Sequence, residues 1–355
     1  MTRKQKLIRD NERLPVLIIY TGGTIGMKRT ARGYSPAEGF LSVALQGIQD
    51  LYEDDFPKWE LYEMSPLLDS ANVSVSEWNK IAKLIYEKRD LYSGFVVLHG
   101  TDTMAYSASA LSFMLEGLRK PVVFTGSQIP LSTLRSDGRD NLLTSVMIAA
   151  EGRVREVCLY FGGRLLRGNR AVKMSADGLI AFDSPSFPPL AKAGITVKYN
   201  ADLIDSFTDE RATALSLFSE VPIGVLKIFP GIQFGLFEEI MTEKLSGIVL
   251  ESFGAGNIPM GEGNLLPIIK KAFDSGAVVT VCSQCPSGTV SLGEYETSSE
   301  LVTAGAVSGH DMTTEAAIAK LYYLFSLGLP KEEIKRRMEI NIAGELTCTK
   351  TLCEG

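Results

Sequence analysis

Short, nearly unbroken runs of apolar and β-branched residues recur along the chain, at intervals wide enough for a helix between them. They read VLIIY at 16–20, FVVLH at 95–99, VVF at 122–124, VCLYF at 157–161, VLKIF at 225–229, IVLESF at 248–253 and VVTVC at 278–282. A strand with one wet face alternates apolar and polar side chains, whereas a strand covered on both faces needs apolar residues at almost every position. Between the runs the period changes. Met104, Ala108, Leu111, Leu115 and Leu118 step by four and three along one helix face. Asp311 is placed to cap a helix over 312–327, with Glu315 in its first turn. The expected class is α/β: a larger N-terminal, doubly wound, mostly parallel sheet domain and a smaller C-terminal parallel α/β domain.

A chain of 355 residues is long enough for two domains, each burying its own core. The proline- and serine-rich DSPSFPPL at 183–190 and the drift through 198–220 set the boundary. The expected division is an N-terminal extension over 1–14, a catalytic α/β domain over 15–200, a linker over 201–221 and a second α/β domain over 222–350.

Composition excludes several chemistries. Only two histidines are present, His99 and His310, too few for a three-histidine zinc site, and no HExxH occurs. His99 follows an apolar run and reads as a hydrogen-bonded side chain at a strand end. The net charge of −6 lacks the basic excess that phosphate neutralisation demands, so no nucleic-acid partner is expected. Five cysteines, Cys158, Cys282, Cys285, Cys348 and Cys353, are odd in number and spaced unlike a secreted framework. The lone CxxC at 282–285 does not by itself make a metal or redox site. The run at 16–20 is shorter than the roughly 7–15 residues of a signal-peptide core or the ~20 of a membrane helix, so a cytoplasmic protein without a membrane partner is expected.

In open α/β sheets ligands bind beyond the carboxyl ends of strands, and polar clusters follow four of the runs: TGGTIG at 21–26, HGTDT at 99–103, TGSQ at 125–128, and GG at 162–163 leading to RGNR at 167–170 and Lys173. The glycine turn fits neither GxxxxGK[ST] nor GxGxxG, but its glycines permit close backbone approach and free N–H groups. Thr101, Asp102 and Thr103 have two readings: a helix cap, or a hydroxyl adjusted by a carboxylate, with Lys173 as base in place of the missing imidazole.

TGGTIG, HGTDTMAYSASALSFML at 99–115, KPVVFTGSQIPL at 120–131, RSDGRDNL at 135–142, RGNR with Lys173, GAGNIP at 254–259 and GHDMTTEA at 309–316 closely resemble the bacterial cytoplasmic (type I) L-asparaginases, in order and over about 15–346. The resemblance implies hydrolysis of L-asparagine to L-aspartate and ammonia, with no cofactor or metal. By position, Thr24 matches the family nucleophile and Tyr34 the flexible-loop tyrosine that assists it, while Thr101, Asp102 and Lys173 match a second catalytic triad. Asp69, Ser70 and Ala71 match residues holding the substrate's amino-acid backbone, and Thr101 and Asp102 take part in that binding. Asn257 matches a residue facing the site of a neighbouring subunit, which implies a homodimer or dimer of dimers.

Some members of the family carry a second asparagine site, whose positions here include Val172, Glu251 and Cys285. An apolar Val172 and an acidic Glu251 suit an effector carboxylate poorly, so asparagine activation is not expected. The alternatives are a broader glutaminase-asparaginase, the related amidotransferase subunit acting on misacylated tRNA, and a non-catalytic amino-acid sensor.

Overall fold

The computed structural model of the chain describes residues 14–31, 33–205, 212–260, 263, 265–293 and 296–347. Cys348, Cys353 and nearly all of the N-terminal extension lie outside the described residues. The chain forms two compact units. The first comprises 1–168, 173–183 and 189–215, and the second comprises 169–172, 184–188 and 216–355.

The strands of the first unit longer than two residues are β1 Val16–Gly22, β2 Met27–Thr30, β3 Gly33–Pro36, β4 Trp59–Leu68, β5 Gly94–Leu98, β6 Val122–Thr125, β7 Val157–Phe161, β8 Arg164–Arg167, β9 Ala191–Ala193 and β10 Val197–Tyr199. Eight of them form one sheet in the order β10-β9-β8-β7-β6-β5-β1-β4, and β2 and β3 form a separate hairpin. The segment from β4 to β7 is parallel throughout, and β8 to β10 extend it antiparallel. Strands β1, β5, β6 and β7 are buried at every position, the two-sided cover that unbroken apolar runs require. Strand β4 (WELYEMSPLL) is absent from those runs because it lies at the sheet edge with no position fully buried, and Glu60 there is exposed.

The longer helices of this unit are α1 Phe40–Gln46, α2 Val75–Lys88, α3 Met104–Met114 and α4 Gly138–Glu151. A capping box starts α2: Ser74 N donates to Glu77 Oε2 at 3.2 Å. In α3 all residues but Tyr106 and Ser112 are buried, so it is a core helix rather than an amphipathic one. The expected stripe through Leu118 overruns it, because Leu115 and Glu116 leave the helix to pair antiparallel with Leu215 and Ala214.

In the second unit, β11 Ile223–Lys227, β12 Gly247–Ser252, β13 Val278–Ser283 and β14 Val307–Ser308 form a parallel sheet in chain order. Ile248, Leu250, Val279 and Val281 pack there with Ile268, Ile269 and Leu301. Helices α5 Leu266–Asp274, α6 Thr314–Ser326 and α7 Lys331–Met338 belong to the same unit. Thr313, not Asp311, caps α6, its hydroxyl accepting from Ala316 N at 3.1 Å, with Glu315 in the first turn as expected. Asp311 is taken by the buried Arg170 guanidinium at 3.0 Å and by Thr347 N at 2.9 Å. A buried guanidinium requires a counter-charge, and a helix start can be served by a neutral hydroxyl. Among the described residues no helix is long and apolar enough to cross a membrane.

Candidate active site

Register brings the strand ends level. Gly22 pairs with Leu68, Tyr20 with Leu98, and Leu98 with Thr125, so the loops at 23–26, 69–72, 99–103 and 126–129 leave from one edge of the sheet. From β1 the chain passes to β4 on one side, and from β5 to β6 on the other. The strand order therefore diverges between β1 and β5, where open α/β sheets hold their ligands.

Glycines let three of these loops touch. Gly23 has φ 87°, and a Cβ there would stand 2.5 Å from Gly100 Cα; a Cβ on Gly100 would stand 2.6 Å from Ser70 Cβ. Gly23 leads directly into the 3-10 turn Thr24–Gly26. The ring of Tyr20 lies under Gly26, and burial together with the nearby Glu63 carboxylate pushes its phenol pKa up. Hydroxyls fasten the loops: Thr21 donates to Leu98 O at 3.0 Å and Thr103 to Ser70 O at 2.8 Å. The Thr103 side chain is thus bound to the neighbouring loop and caps nothing in α3, although it occupies the N-cap position. Asp69 Oδ1 accepts from Ala71 N at 3.1 Å to open the turn Ser70–Asn72. Ser70 is buried, whereas Asp69 and Ala71 are exposed.

Thr101, Asp102 and Lys173 come together. Lys173 Nζ donates to Thr101 Oγ1 at 3.0 Å and to Asp102 Oδ1 at 2.6 Å. Thr101 is 6% exposed, while the Asp102 side chain is 65% exposed, so the charged end of the cluster faces solvent. Behind it stands a residue that the strand-end pattern displays without revealing its contacts: Thr101 Oγ1 donates to Gln128 Oε1 at 3.2 Å. The Gln128 backbone is held in turn by Asp137, whose carboxylate accepts from Gln128 N at 3.0 Å and Ile129 N at 3.0 Å. Asn141 closes the set, donating to Gly126 O at 3.0 Å and accepting from Gly162 N at 3.2 Å. Asp137 and Asn141 lie in the RSDGRDNL motif, which therefore acts as the brace of the 126–129 turn.

Other expected residues stand apart from this bonded group. Neither Thr24 nor Tyr34 has a side-chain hydrogen bond among the described residues, and Tyr34, opposite Arg29 in the β2–β3 hairpin, is 46% exposed. Asn257 belongs to the second unit, where its backbone bridges to Phe253 at 2.8 and 2.9 Å. In that unit Glu251 accepts from Thr314 Oγ1 at 2.7 Å and pairs with Lys227 at 3.4 Å; Val172 is half-buried and Cys285 exposed. His99 is wholly buried and bonded on both ring nitrogens, with its pKa lowered to about 4 by desolvation. It is structural, as its place at a strand end suggests. Cys282 of the CxxC is likewise buried, its thiol pushed up to about 12 by desolvation, and no group of three or more His, Cys, Asp or Glu among the described residues is arranged to hold a metal.

Comparison with known proteins places the chain in a family. Residues 15–205 match the family described as Asparaginase, N-terminal, and residues 222–338 match the Glutaminase/Asparaginase C-terminal domain. L-asparaginase 1 of Escherichia coli K12 is 44% identical over 332 residues, covering 94% of this chain and 98% of that protein. The L-asparaginase of Thermococcus kodakarensis is 34% identical over 338 residues, covering 94% of this chain and 99% of that protein. The solved structure of L-asparaginase I from Vibrio cholerae superposes with a TM-score of 0.87 at 42% identity, over 95% of this chain and all of that one. Hydroxyls, a carboxylate and a lysine gathered on one sheet edge, in a chain matched along both units, make this protein a member of the asparaginase family.

Proposed function

We propose that the protein is an L-asparaginase, hydrolysing the side-chain amide of L-asparagine to L-aspartate and ammonia. The observation that carries this reading is the bonded set Thr101–Lys173–Asp102, with 3.0 and 2.6 Å contacts, beside the glycine turn that presents Thr24. Thr24 is the nucleophile: its hydroxyl is unengaged among the described residues, whereas that of Thr101 is already bound to Lys173 and Gln128. The Thr24 oxygen adds to the amide carbon as its proton passes, with Tyr34 assisting, to the amide nitrogen. The C–N bond then breaks, and the nitrogen leaves as ammonium, its second proton supplied through Thr101 from Lys173. Water, giving its proton back along the same route, cleaves the ester to aspartate and restores Thr24.

Glycine-turn amides offer donors to the oxyanion. Asp69, Ser70, Ala71 and Asp102 hold the substrate's ammonium and carboxylate, and no step calls for a metal or cofactor. Asn257 completes the site of a second copy in a homodimer or dimer of dimers. With Glu251 already engaged by Thr314 and Lys227, the rate is expected to rise hyperbolically with asparagine.

Ammonia release from asparagine and glutamine, for wild type and Thr24→Ala, tests the reading. Turnover on asparagine that falls by roughly 10³-fold or more in Thr24→Ala, with binding kept, supports it. Absence of turnover on either amide by the wild type refutes it.

A further inference from the structure

Among the described residues Gln128 is the one uncharged side chain bonded to the Thr101–Lys173 pair, and its own surroundings leave its amide a single orientation. Nε2 lies 3.2 Å from both the Ala176 and the Gly178 carbonyl oxygens. A carbonyl only accepts, so both amide hydrogens point there, and the flipped amide would set its oxygen against two others. Oε1 then faces Thr101 Oγ1 at 3.2 Å and can only accept. Lys173, as an ammonium, can only donate, and it does so to the same hydroxyl oxygen. The Thr101 hydroxyl is thereby assigned: it accepts from the lysine and gives to Gln128.

We infer that Gln128 is a positioning residue for the reaction: it fixes the Thr101 hydroxyl rotor with its proton turned away from Lys173, and it ties the 176–178 segment, just past the lysine, to the Thr101 loop. This rests on the hydrolase reading above and deepens it. In that arrangement the Thr101 oxygen keeps a lone pair toward the lysine. As the amide nitrogen departs, the Thr101 hydroxyl turns from Gln128 and gives that nitrogen its proton, and a Lys173 proton moves onto the same oxygen, so one proton in all travels from lysine to ammonia. In the deacylation step the flow reverses: the Thr101 hydroxyl turns to give its proton to the neutral lysine, water gives its own to the Thr101 oxygen, and the new O–H settles back on Gln128. Without an acceptor at Gln128 the hydroxyl hydrogen has no fixed direction, and a rotamer that points it at the ammonium sets hydrogen against hydrogen. The brace from Asp137 to the Gln128 and Ile129 amides explains why so long a motif lies behind a single glutamine.

The test uses the full-length enzyme in three variants, Gln128→Met, Gln128→Glu and Thr101→Val, with kcat and KM measured across pH and thermal unfolding recorded for each. Gln128→Met is expected to lose roughly 10- to 100-fold in kcat with KM within about threefold of wild type, at an unfolding midpoint close to wild type. Gln128→Glu places a negative charge beside the ammonium and favours its charged form, so the descending limb of kcat against pH, set by loss of the lysine's proton, moves to higher pH. A side chain that merely fills space moves neither the kcat–KM split nor that limb. Wild-type kcat in Gln128→Met, or an unmoved limb in Gln128→Glu, overturns the inference while leaving the hydrolase reading intact, provided Thr101→Val is inactive. Absence of turnover in the wild type overturns the hydrolase reading instead, and wild-type turnover in Thr101→Val removes the Thr101–Lys173 relay and the inference with it. Should Gln128→Met fail to fold, the near-isosteric glutamate variant decides through its pH profile.

Discussion

His99 Nε2 lies 2.9 Å from Ser107 Oγ, and this bond belongs to a chain with one consistent direction. Nδ1 stands 2.8 Å from Gly100 O, which can only accept, so the ring proton is on Nδ1 and Nε2 accepts from the serine. Ser107 Oγ in turn accepts from Trp78 Nε1 at 2.9 Å. The histidine is a neutral strut beneath the Gly100 turn, where Gly23 and Ser70 meet it.

A pH dependence follows. Desolvation, opposed by the Gly100 bond, lowers this histidine from 6.5 to about 4 in the folded chain. Between those values the unfolded chain binds a proton that the folded chain refuses. The associated stability is therefore complete above about pH 6.5 and is lost progressively down to about pH 4, to the extent of about 3 kcal/mol. Wild type should lose more of its unfolding free energy between pH 7 and 4.5 than His99→Gln does. Parallel stability curves for the two proteins would sink the assignment.

Lys173→Met should separate catalysis from folding. Its partner Asp102 is largely solvated, so losing the pair costs at most about 1 kcal/mol. Ammonia release should fall by roughly 10²-fold or more, with a nearly unchanged unfolding midpoint. Near-wild-type activity would remove Lys173 from the chemistry.

Gly23 and Gly152 make a controlled comparison. Both have positive φ, 87° and 67°, but a Cβ on Gly23 meets the Gly100 backbone, while one on Gly152 has nothing within 4 Å. Gly152→Ala should cost about 1 kcal/mol of backbone strain and leave turnover alone. Gly23→Ala should add the overlap to that strain, destabilise by about 2–3 kcal/mol and abolish turnover, because the Thr24 and Thr101 loops are pushed apart. Equal effects in urea unfolding and in activity would show that the close approach does not matter.

In the second unit Lys320 and Glu345 form a fully buried pair at 2.6 Å. The lysine also donates to Met338 O at 2.9 Å and Ile340 O at 2.6 Å, and Glu345 accepts from Ile342 N at 3.0 Å. Lys320→Met leaves a buried carboxylate without its counter-charge and should destabilise by about 3–5 kcal/mol. Adding Glu345→Gln should recover part of that loss, so the double variant falls short of the sum of the singles. Strict additivity in a denaturant series would mean the charges do not interact.

Much of the site was legible because its residues follow buried strands. The runs at 16–20, 95–99, 122–124 and 157–161 advertise two-sided burial in their own composition, and the residues just after them necessarily emerge at a sheet edge. Thr24, Thr101, Asp102 and Gln128 can be placed there by reading along the chain. Strand β4 could not, since an edge strand with no fully buried position has no unbroken apolar run. Nor could the end of α3 at Met114: a core helix shows apolar residues on all sides, and its stop is set by the pairing of Leu115 and Glu116 with a segment about a hundred residues away.

The sequence by itself determined which segments are buried strands and which polar residues stand at their ends, since both depend on neighbours within a few positions. It could not determine that Lys173 reaches Thr101 across 72 residues, that Gln128 turns its oxygen to the same hydroxyl, or that Arg170 rather than the start of α6 claims Asp311. Those contacts depend on strand register and on loops fastened by partners far along the chain, so only the tertiary structure decided them.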